Sequence, residues 1–96
     1  MNDDQVIKVL LVDDDEDDYL ITKELLLDIE EMKFDIDWIS SYNEALETAD
    51  RIHHDICLFD YRLGKHNGLE LLTELRNNGC KIPIILLTGQ GDHDVD

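Results

Sequence analysis

The sequence predicts an α/β domain with a parallel sheet, and three observations lead to this class. Short apolar runs, too brief for buried helices, alternate with segments in which apolar residues recur every three or four positions. Most of these runs are apolar throughout, as in strands that are covered on both faces. The elements follow in the order β-α-β-α-β-α-β, which is typical of a parallel sheet with helical crossovers. The chain is long enough for one domain, so we expect a single domain over residues 1–96.

The first strand and the first helix are marked by a change in the spacing of apolar residues. Val6–Val12 is a nearly unbroken apolar run and predicts the first strand. From Asp17 onward, apolar residues recur at a helical spacing, which predicts a helix with one apolar face. The residues of this face are Ile21, Leu25, Leu26 and Ile29.

The second strand and the second helix follow directly. Residues 34–40 alternate between apolar and polar side chains and predict a strand in which Phe34 and Trp38 belong to the core. Residues 41–44 (Ser-Tyr-Asn-Glu) have the spacing of a capping box, so we expect a helix that begins after Ser41 and has an apolar stripe. The stripe consists of Ala45, Leu46 and Ala49.

The second half of the chain contains the third helix between two further strands. Residues 55–59 predict a strand that ends at Asp60, and residues 63–67 predict a loop. The helix has Asn67 as its N-cap and ends before Gly79. The remaining predicted elements are a strand over residues 82–87, with Pro83 at its start, and a loop over residues 89–96.

The chain carries a formal charge of −16 and only eight Lys and Arg residues. This balance argues against nucleic acid or an anionic membrane surface as a direct partner, and it favours cations and basic protein surfaces. There is no apolar stretch of about 18 residues, and the acidic start is unlike a signal peptide. We therefore expect a cytoplasmic protein.

The cysteines and histidines show no pattern of paired ligands. Cys57 lies within an apolar run and is expected to be buried, whereas Cys80 lies in a polar turn and is expected to be exposed and unpaired. We interpret the four histidines as surface residues: His53, His54, His66 and His93.

Polar residues directly after three predicted strands form the candidate site. Asp13, Asp14 and Asp15 follow the first strand, Asp60 ends the third, and Thr88 follows the fourth. In an open parallel sheet, ligands bind at the carboxyl ends of the strands. Crowded carboxylates repel each other, and a hard cation with oxygen ligands such as Mg²⁺ relieves this repulsion. An aspartate there can form an acyl phosphate, with the threonine hydroxyl bonded to a phosphoryl oxygen.

These segments resemble the receiver domains of two-component signalling, the family that includes the chemotaxis response regulator. Three segments carry the resemblance: residues 9–15 (VLLVDDD), residues 55–63 (DICLFDYRL) followed by Gly68, and residues 82–89 (IPIILLTG). The match as a whole extends over essentially the entire chain, with these segments in the right order. The resemblance implies a flavodoxin-like, doubly wound parallel sheet with strand order 2-1-3-4.

The resemblance also implies a role for each matching residue. Asp60 would accept a phosphoryl group from a histidine kinase or phosphotransfer protein, and Thr88 would contact that group. Arg62 and Gln90 occupy positions that flank it. The domain would be a signalling phosphoprotein rather than an enzyme, although it would assist its own phosphoryl transfer and hydrolysis. The implied Mg²⁺ ligands are Asp13, Asp14, Asp60 and the backbone carbonyl of Arg62.

The chain departs from the family pattern at Gly64, where proline is common, and at its C-terminal end. We expect the fifth strand, with its lysine, and the last helix to be absent, because the chain ends where the fourth helix of the family begins. Neither Lys65 nor Lys81 stands at the position of that lysine. We expect an output domain to lie beyond residue 96. A sheet face without these elements would leave large apolar side chains in water, so we expect self-association through it.

Other interpretations remain open. An EF-hand spacing is matched by Asp13, Asp15, Asp17 and Glu24, but Asp18 stands where glycine belongs and a strand precedes the loop. A haloacid-dehalogenase-type phosphatase would need Thr or Val at Asp17. A receiver-like interaction module without phosphorylation is the main alternative. We interpret Glu16, Asp17 and Asp18 as a solvated acidic turn that complements the helix N-terminus.

Overall fold

A computed structural model describes residues 5–48 and 51–87. Four strands form one parallel sheet in the order Lys33–Ile39, Val6–Val12, Ile56–Asp60 and Ile84–Leu87, so the predicted order 2-1-3-4 is confirmed. None of the helices in these ranges is long and apolar enough to cross a membrane. In chain order the elements are β1 (Val6–Val12), α1 (Glu16–Leu27), β2 (Lys33–Ile39), α2 (Tyr42–Glu47), β3 (Ile56–Asp60), β4 (Arg62–Leu63), β5 (His66–Asn67), α3 (Gly68–Asn77) and β6 (Ile84–Leu87).

The segment predicted as a loop over residues 63–67 is a small hairpin. Arg62 pairs with Asn67 and Leu63 with His66, in antiparallel register. Gly64 lies in the turn with φ of 65°, a conformation that glycine adopts without steric strain. Each of these strands has two residues, which is too short for a periodic pattern to predict it.

Side-chain caps define the start of each helix. The Asp15 carboxylate accepts from the Asp17 N–H at 2.9 Å, and the Ser41 hydroxyl accepts from the Glu44 N–H at 3.1 Å. At α3 the capping box is complete, since Asn67 and Glu70 each accept from the other's backbone N–H. The predicted starts of α2 and α3 are therefore confirmed.

The main core lies on the sheet face that α2 and α3 cover. Cys57 is fully buried there, as predicted, and burial raises the pKa of its thiol to about 12. Cys80 is half-buried rather than exposed, because it packs against this core. The buried residues of the core are Leu10, Val12, Ala45, Cys57, Phe59, Leu63, Leu71 and Leu75.

Helix α1 faces the other side of the sheet, and Leu26 is the one residue of its predicted apolar face that is half-buried there. Ile21 is 57% exposed, Leu25 is 64% exposed, and Ile29 lies beyond the end of the helix. Ile85 on β6 is also 47% exposed, because no described element covers this end of the face. The half-buried stripe of α1 consists of Asp18, Tyr19, Thr22, Lys23 and Leu26.

His54 is buried, so its interpretation as a surface residue is wrong. Its Nε2 lies 2.7 Å from Oδ2 of Asp37 on β2, and its ring stacks on that of His53. His54 also lines a cavity of about 190 Å³, together with Leu10 and Ile39. Its Nδ1 has no hydrogen-bond partner among the described residues.

Candidate functional site

Three carboxylates converge at the carboxyl ends of β1 and β3. Val12 pairs with Phe59 in the parallel register, so Asp13, directly after β1, and Asp60, the last residue of β3, lie side by side at the same level of the sheet. One oxygen each from Asp13, Asp18 and Asp60 can be chosen so that all lie within 4.8 Å of one another. Asp13 is 2% exposed, and the other two are half-buried. The structure thus brings together two of the residues that the strand ends indicated, and adds Asp18.

The backbone N–H and carbonyl groups of Asp13 each form a hydrogen bond with a residue of strand β2. Its N–H donates to the Ile39 carbonyl at 3.1 Å, and its carbonyl oxygen accepts from Nε1 of Trp38 at 2.8 Å. Its carboxylate Oδ1 accepts from the Asp15 N–H at 3.0 Å. These contacts leave little freedom to the strand end, so the position of its carboxylate is well defined.

Asp18 is the site residue that sequence reasoning assigned to a solvated turn. Asp15 caps α1, and the first turn then directs Asp18 towards the strand ends while Asp17 stays exposed. The stacking of Tyr19 on Trp38 fixes this rotation, with ring centroids 4.3 Å apart and planes 4° from parallel. A signal was available, because Asp18 and Thr22 share a helical face that also carries Leu26.

Asp14 and Arg62 lie at the rim of the site. Asp14 is exposed, and its Oδ2 accepts from the Gly64 N–H at 2.9 Å, which links the acidic turn to the β4–β5 hairpin. Arg62 is exposed on β4, two residues after Asp60. Thr88 and Gln90, the other predicted site residues, lie outside the described residues, so their roles stay predictions.

The carboxylates of the site are held in an unfavourable environment. Burial raises the pKa of Asp13 to about 6; the charges of Asp60, Asp18 and Asp14 add to this rise, and the Asp15 N–H opposes it. Burial also raises the pKa of Asp60, as do the charges of Asp14 and Asp18. A proton or a cation bound among these groups therefore stabilises the site.

Gly68 brings the start of α3 against the end of β3. A Cβ at this position would lie 2.6 Å from the Asp60 carbonyl oxygen and 3.0 Å from a methyl carbon of Leu86. The Gly68 N–H also donates to the Tyr61 carbonyl at 2.7 Å. Only a residue without a side chain permits this approach, so Gly68 allows α3 to pack directly against the backbone of Asp60.

The fold and the site together define a doubly wound domain with an acidic ligand site at the carboxyl ends of its strands. Residues 9–96 match the response regulator receiver domain family, and the chain belongs to this family. It is therefore a receiver domain of two-component response regulators.

Individual relatives agree with this assignment. The chain is 34% identical over 86 residues to the two-component response regulator PhoP of Pseudomonas aeruginosa, covering 90% of this chain and 37% of PhoP. It is 35% identical over 91 residues to the transcriptional regulatory protein MalR of Bacillus subtilis, covering 94% of this chain and 38% of MalR. The chain thus spans less than two fifths of the length of these relatives.

Solved structures confirm the flavodoxin-like fold. The receiver domain of the sensor histidine kinase PA1611 from Pseudomonas aeruginosa, with a magnesium ion coordinated in its active site cleft, has a TM-score of 0.74 and 27% identity. That match covers 94% of this chain and 75% of the PA1611 domain. A CheY-like receiver domain from Methylobacillus flagellatus has a TM-score of 0.74 and 25% identity, covering 90% of this chain and 72% of that one.

Proposed function

We propose that this domain accepts a phosphoryl group on Asp60 from a histidine kinase or a phosphotransfer protein, with Mg²⁺ bound beside it. The observation that carries the proposal is the convergence of the Asp13, Asp18 and Asp60 carboxylates at the ends of neighbouring parallel strands. An aspartate that only ended a strand would not need two further carboxylates beside it. Membership of the receiver family and the raised pKa of Asp13 and Asp60 both support it.

The residues present fit a magnesium site. All of the donors are oxygens, as hard divalent cations prefer, and the mutual repulsion of the carboxylates favours a cation among them. When bound, Mg²⁺ would neutralise negative charge on the phosphoryl oxygens. Asp18 is a further candidate ligand. The proposed ligands are Asp13, Asp14, Asp60 and the backbone carbonyl of Arg62.

The proposed reaction is a transfer between two nucleophiles. A carboxylate oxygen of Asp60 attacks the phosphorus of a phosphohistidine, an O–P bond forms, and the P–N bond breaks. The electron pair of the broken bond returns to the imidazole nitrogen of the donor. Asp60 suits this role because the backbone around it is fixed by Gly68 and by the pairing of β3 with β1 and β6. Thr88 is proposed to donate a hydrogen bond to one phosphoryl oxygen.

Intact mass spectrometry tests the proposal directly. The parent protein is incubated with Mg²⁺ and phosphoramidate, beside Asp60→Asn and Asp35→Asn, where Asp35 is an exposed control on β2. We expect one phosphoryl group on the parent and on Asp35→Asn, none on Asp60→Asn, and loss of the modification in EDTA. A folded, Mg²⁺-binding parent that stays unmodified, also when the chain is extended through a fifth strand, would instead favour an interaction module without phosphorylation.

The partners proposed for the domain follow from its family and its charge. PhoP and MalR are longer than this chain, and we propose that an output domain beyond residue 96 reads the state of Asp60. The charge of −16 favours a basic protein surface over direct nucleic acid or membrane contact. Cys57 and Cys80 form no disulfide, which is consistent with phosphoryl transfer in the reducing environment of the cytoplasm.

Self-association through the α1 side of the sheet is part of the same proposal. Ile21 and Leu25 on α1 and Ile85 on β6 are exposed apolar side chains on elements of this side. A second copy of the chain that covered them would remove each from water, which stabilises an apolar side chain by about 1.5–3 kcal/mol. We expect this association to be weak, because two copies of an acidic chain repel each other.

A further inference from the structure

The side chain of Trp38 contacts the acidic turn from the neighbouring strand. Its indole Nε1 donates to the Asp13 carbonyl oxygen at 2.8 Å. That oxygen belongs to the peptide group that joins Asp13 to Asp14, the two adjacent residues proposed as Mg²⁺ ligands. The bond therefore fixes the orientation of the peptide plane between them.

The same indole also contacts the helix that carries Asp18. Its ring stacks on Tyr19, the residue after Asp18, with the ring centroids 4.3 Å apart. The amino group of Lys23, one turn further along α1, lies 5.7 Å from the centre of the Tyr19 ring on its face. One aromatic side chain thus joins the end of β1 to the first turn of α1.

We propose that Trp38 is a positioning residue of the cation site: through Asp13 and Tyr19 it sets the spacing between the carboxylates on β1 and α1. The inference rests on the proposed function, since it assigns Trp38 to the Mg²⁺ site described there. Groups that orient metal ligands without touching the metal contribute strongly to affinity, because free ligands must be ordered when the ion binds. No other side chain among the described residues forms a hydrogen bond with the Asp13 backbone.

The substitution Trp38→Phe separates the hydrogen bond from the stack. Phenylalanine keeps an aromatic ring that can stack on Tyr19 but has no N–H donor. We expect Mg²⁺ binding, measured by isothermal titration calorimetry, to weaken by about 10-fold, at the lower end of the range for lost partners of metal ligands. Phosphorylation of Asp60 should then need more Mg²⁺ for half its maximal rate, and recover at saturating Mg²⁺.

The matched control is Phe34→Leu, at a half-buried aromatic on the same strand and the same face, near its amino end. It should lower the free energy of unfolding and leave Mg²⁺ affinity unchanged. A purely structural role for Trp38 predicts that both variants behave alike, with altered stability and unaltered affinity, and this result would overturn the inference. A parent that binds no Mg²⁺ would instead overturn the proposed function, and the inference with it.

The parent protein offers a second measurement if Trp38→Phe does not fold. Trp38 is the only tryptophan of the chain, so its fluorescence reports on this one position. We expect its emission to change on titration with Mg²⁺, with the same midpoint as the calorimetric titration. Emission that saturating Mg²⁺ leaves unchanged, in a parent shown by calorimetry to bind the ion, would contradict a coupling between the indole and the site.

Discussion

Gly68 and Asp60 are in such close backbone contact that a Cβ on residue 68 would lie 2.6 Å from the Asp60 carbonyl oxygen. The contact joins the first residue of α3 to the last residue of β3. Because the helix start is also fixed by the Asn67–Glu70 capping box, neither element can move away without loss of other bonds. The proposed phosphoacceptor therefore depends on a residue that has no side chain.

The substitution Gly68→Ala should displace the end of β3. We expect the free energy of unfolding to fall by about 1–3 kcal/mol, as for other overpacked sites, and the rate of phosphorylation of Asp60 to fall with it. Urea unfolding and timed intact-mass measurements check the two effects. The control is Gly79→Ala, which strains a backbone φ of 94° but places its methyl group where no other atom lies within 4 Å. It should lose stability and keep the parent's phosphorylation rate; equal rates in both variants would contradict the role of Gly68.

Asp18→Asn should weaken Mg²⁺ binding by about 10-fold, because one of three converging carboxylates loses its charge. The neighbouring Asp17→Asn is the control. Both substitutions remove one negative charge from the first turn of α1, so their effects on the helix dipole are similar. Asp17 is exposed and outside the cluster, and its variant should bind Mg²⁺ nearly as the parent does. Equal weakening by the two substitutions, in calorimetry at the same ionic strength, would indicate a general effect of charge instead.

The stability of the metal-free protein should decrease as the pH rises from about 4 to 7. The pKa of Asp13 is about 6 in the folded chain, against 3.8 for an aspartate side chain in water, so between these values the folded state binds more protons than the unfolded state. The free energy of unfolding then falls with rising pH, by on the order of 2 kcal/mol for this group. Urea unfolding in EDTA at pH 5 and pH 7 measures the decrease. Asp13→Asn should reduce it, and an unchanged decrease in that variant would exclude Asp13 as a cause.

Leu25→Ser should weaken the proposed self-association. Leu25 is 64% exposed on α1, and its removal from a dimer contact should raise the dissociation constant by about 10-fold or more. The control is Leu69→Ser, at another exposed leucine, which lies at the start of α3 on the opposite side of the sheet. Sedimentation velocity over a range of concentrations compares the two. A monomeric parent at high concentration would remove this part of the proposal.

The sheet could be predicted from the sequence because its strands are local patterns bounded by clear signals. Apolar runs that end in aspartate predicted β1 and β3, and their parallel pairing predicted that Asp13 and Asp60 meet. The β4–β5 hairpin and the burial of His54 were missed. The hairpin strands are too short to show a period, and the burial of His54 depends on its bond to Asp37, a residue distant in the chain.

Helix α1 shows why the apolar pattern alone did not predict Asp18 as a residue of the site. The apolar residues Ile21 and Leu25 indicated one buried face, but the sheet contacts a face that begins with Asp18 and Tyr19. The rotation of the helix is set by the stacking of Tyr19 on Trp38, a contact between two elements. A pattern of apolar residues predicts which helical face is most hydrophobic, but it does not predict a specific aromatic contact with another element.

Because Cys57 is buried, Cys80 is the one cysteine of the chain to which a thiol-reactive label should attach. With a pKa near 12, the buried Cys57 thiol is almost never deprotonated at neutral pH. Alkylating reagents should therefore not react with it in the folded state. Cys80 is half-buried and precedes β6 at the amino-terminal edge of the sheet, away from the acidic cluster. One dye or spin label per molecule should therefore attach at Cys80. Such a probe would leave Asp60, the proposed phosphoacceptor, accessible, and would report on the proposed encounter with a kinase from the opposite edge of the sheet.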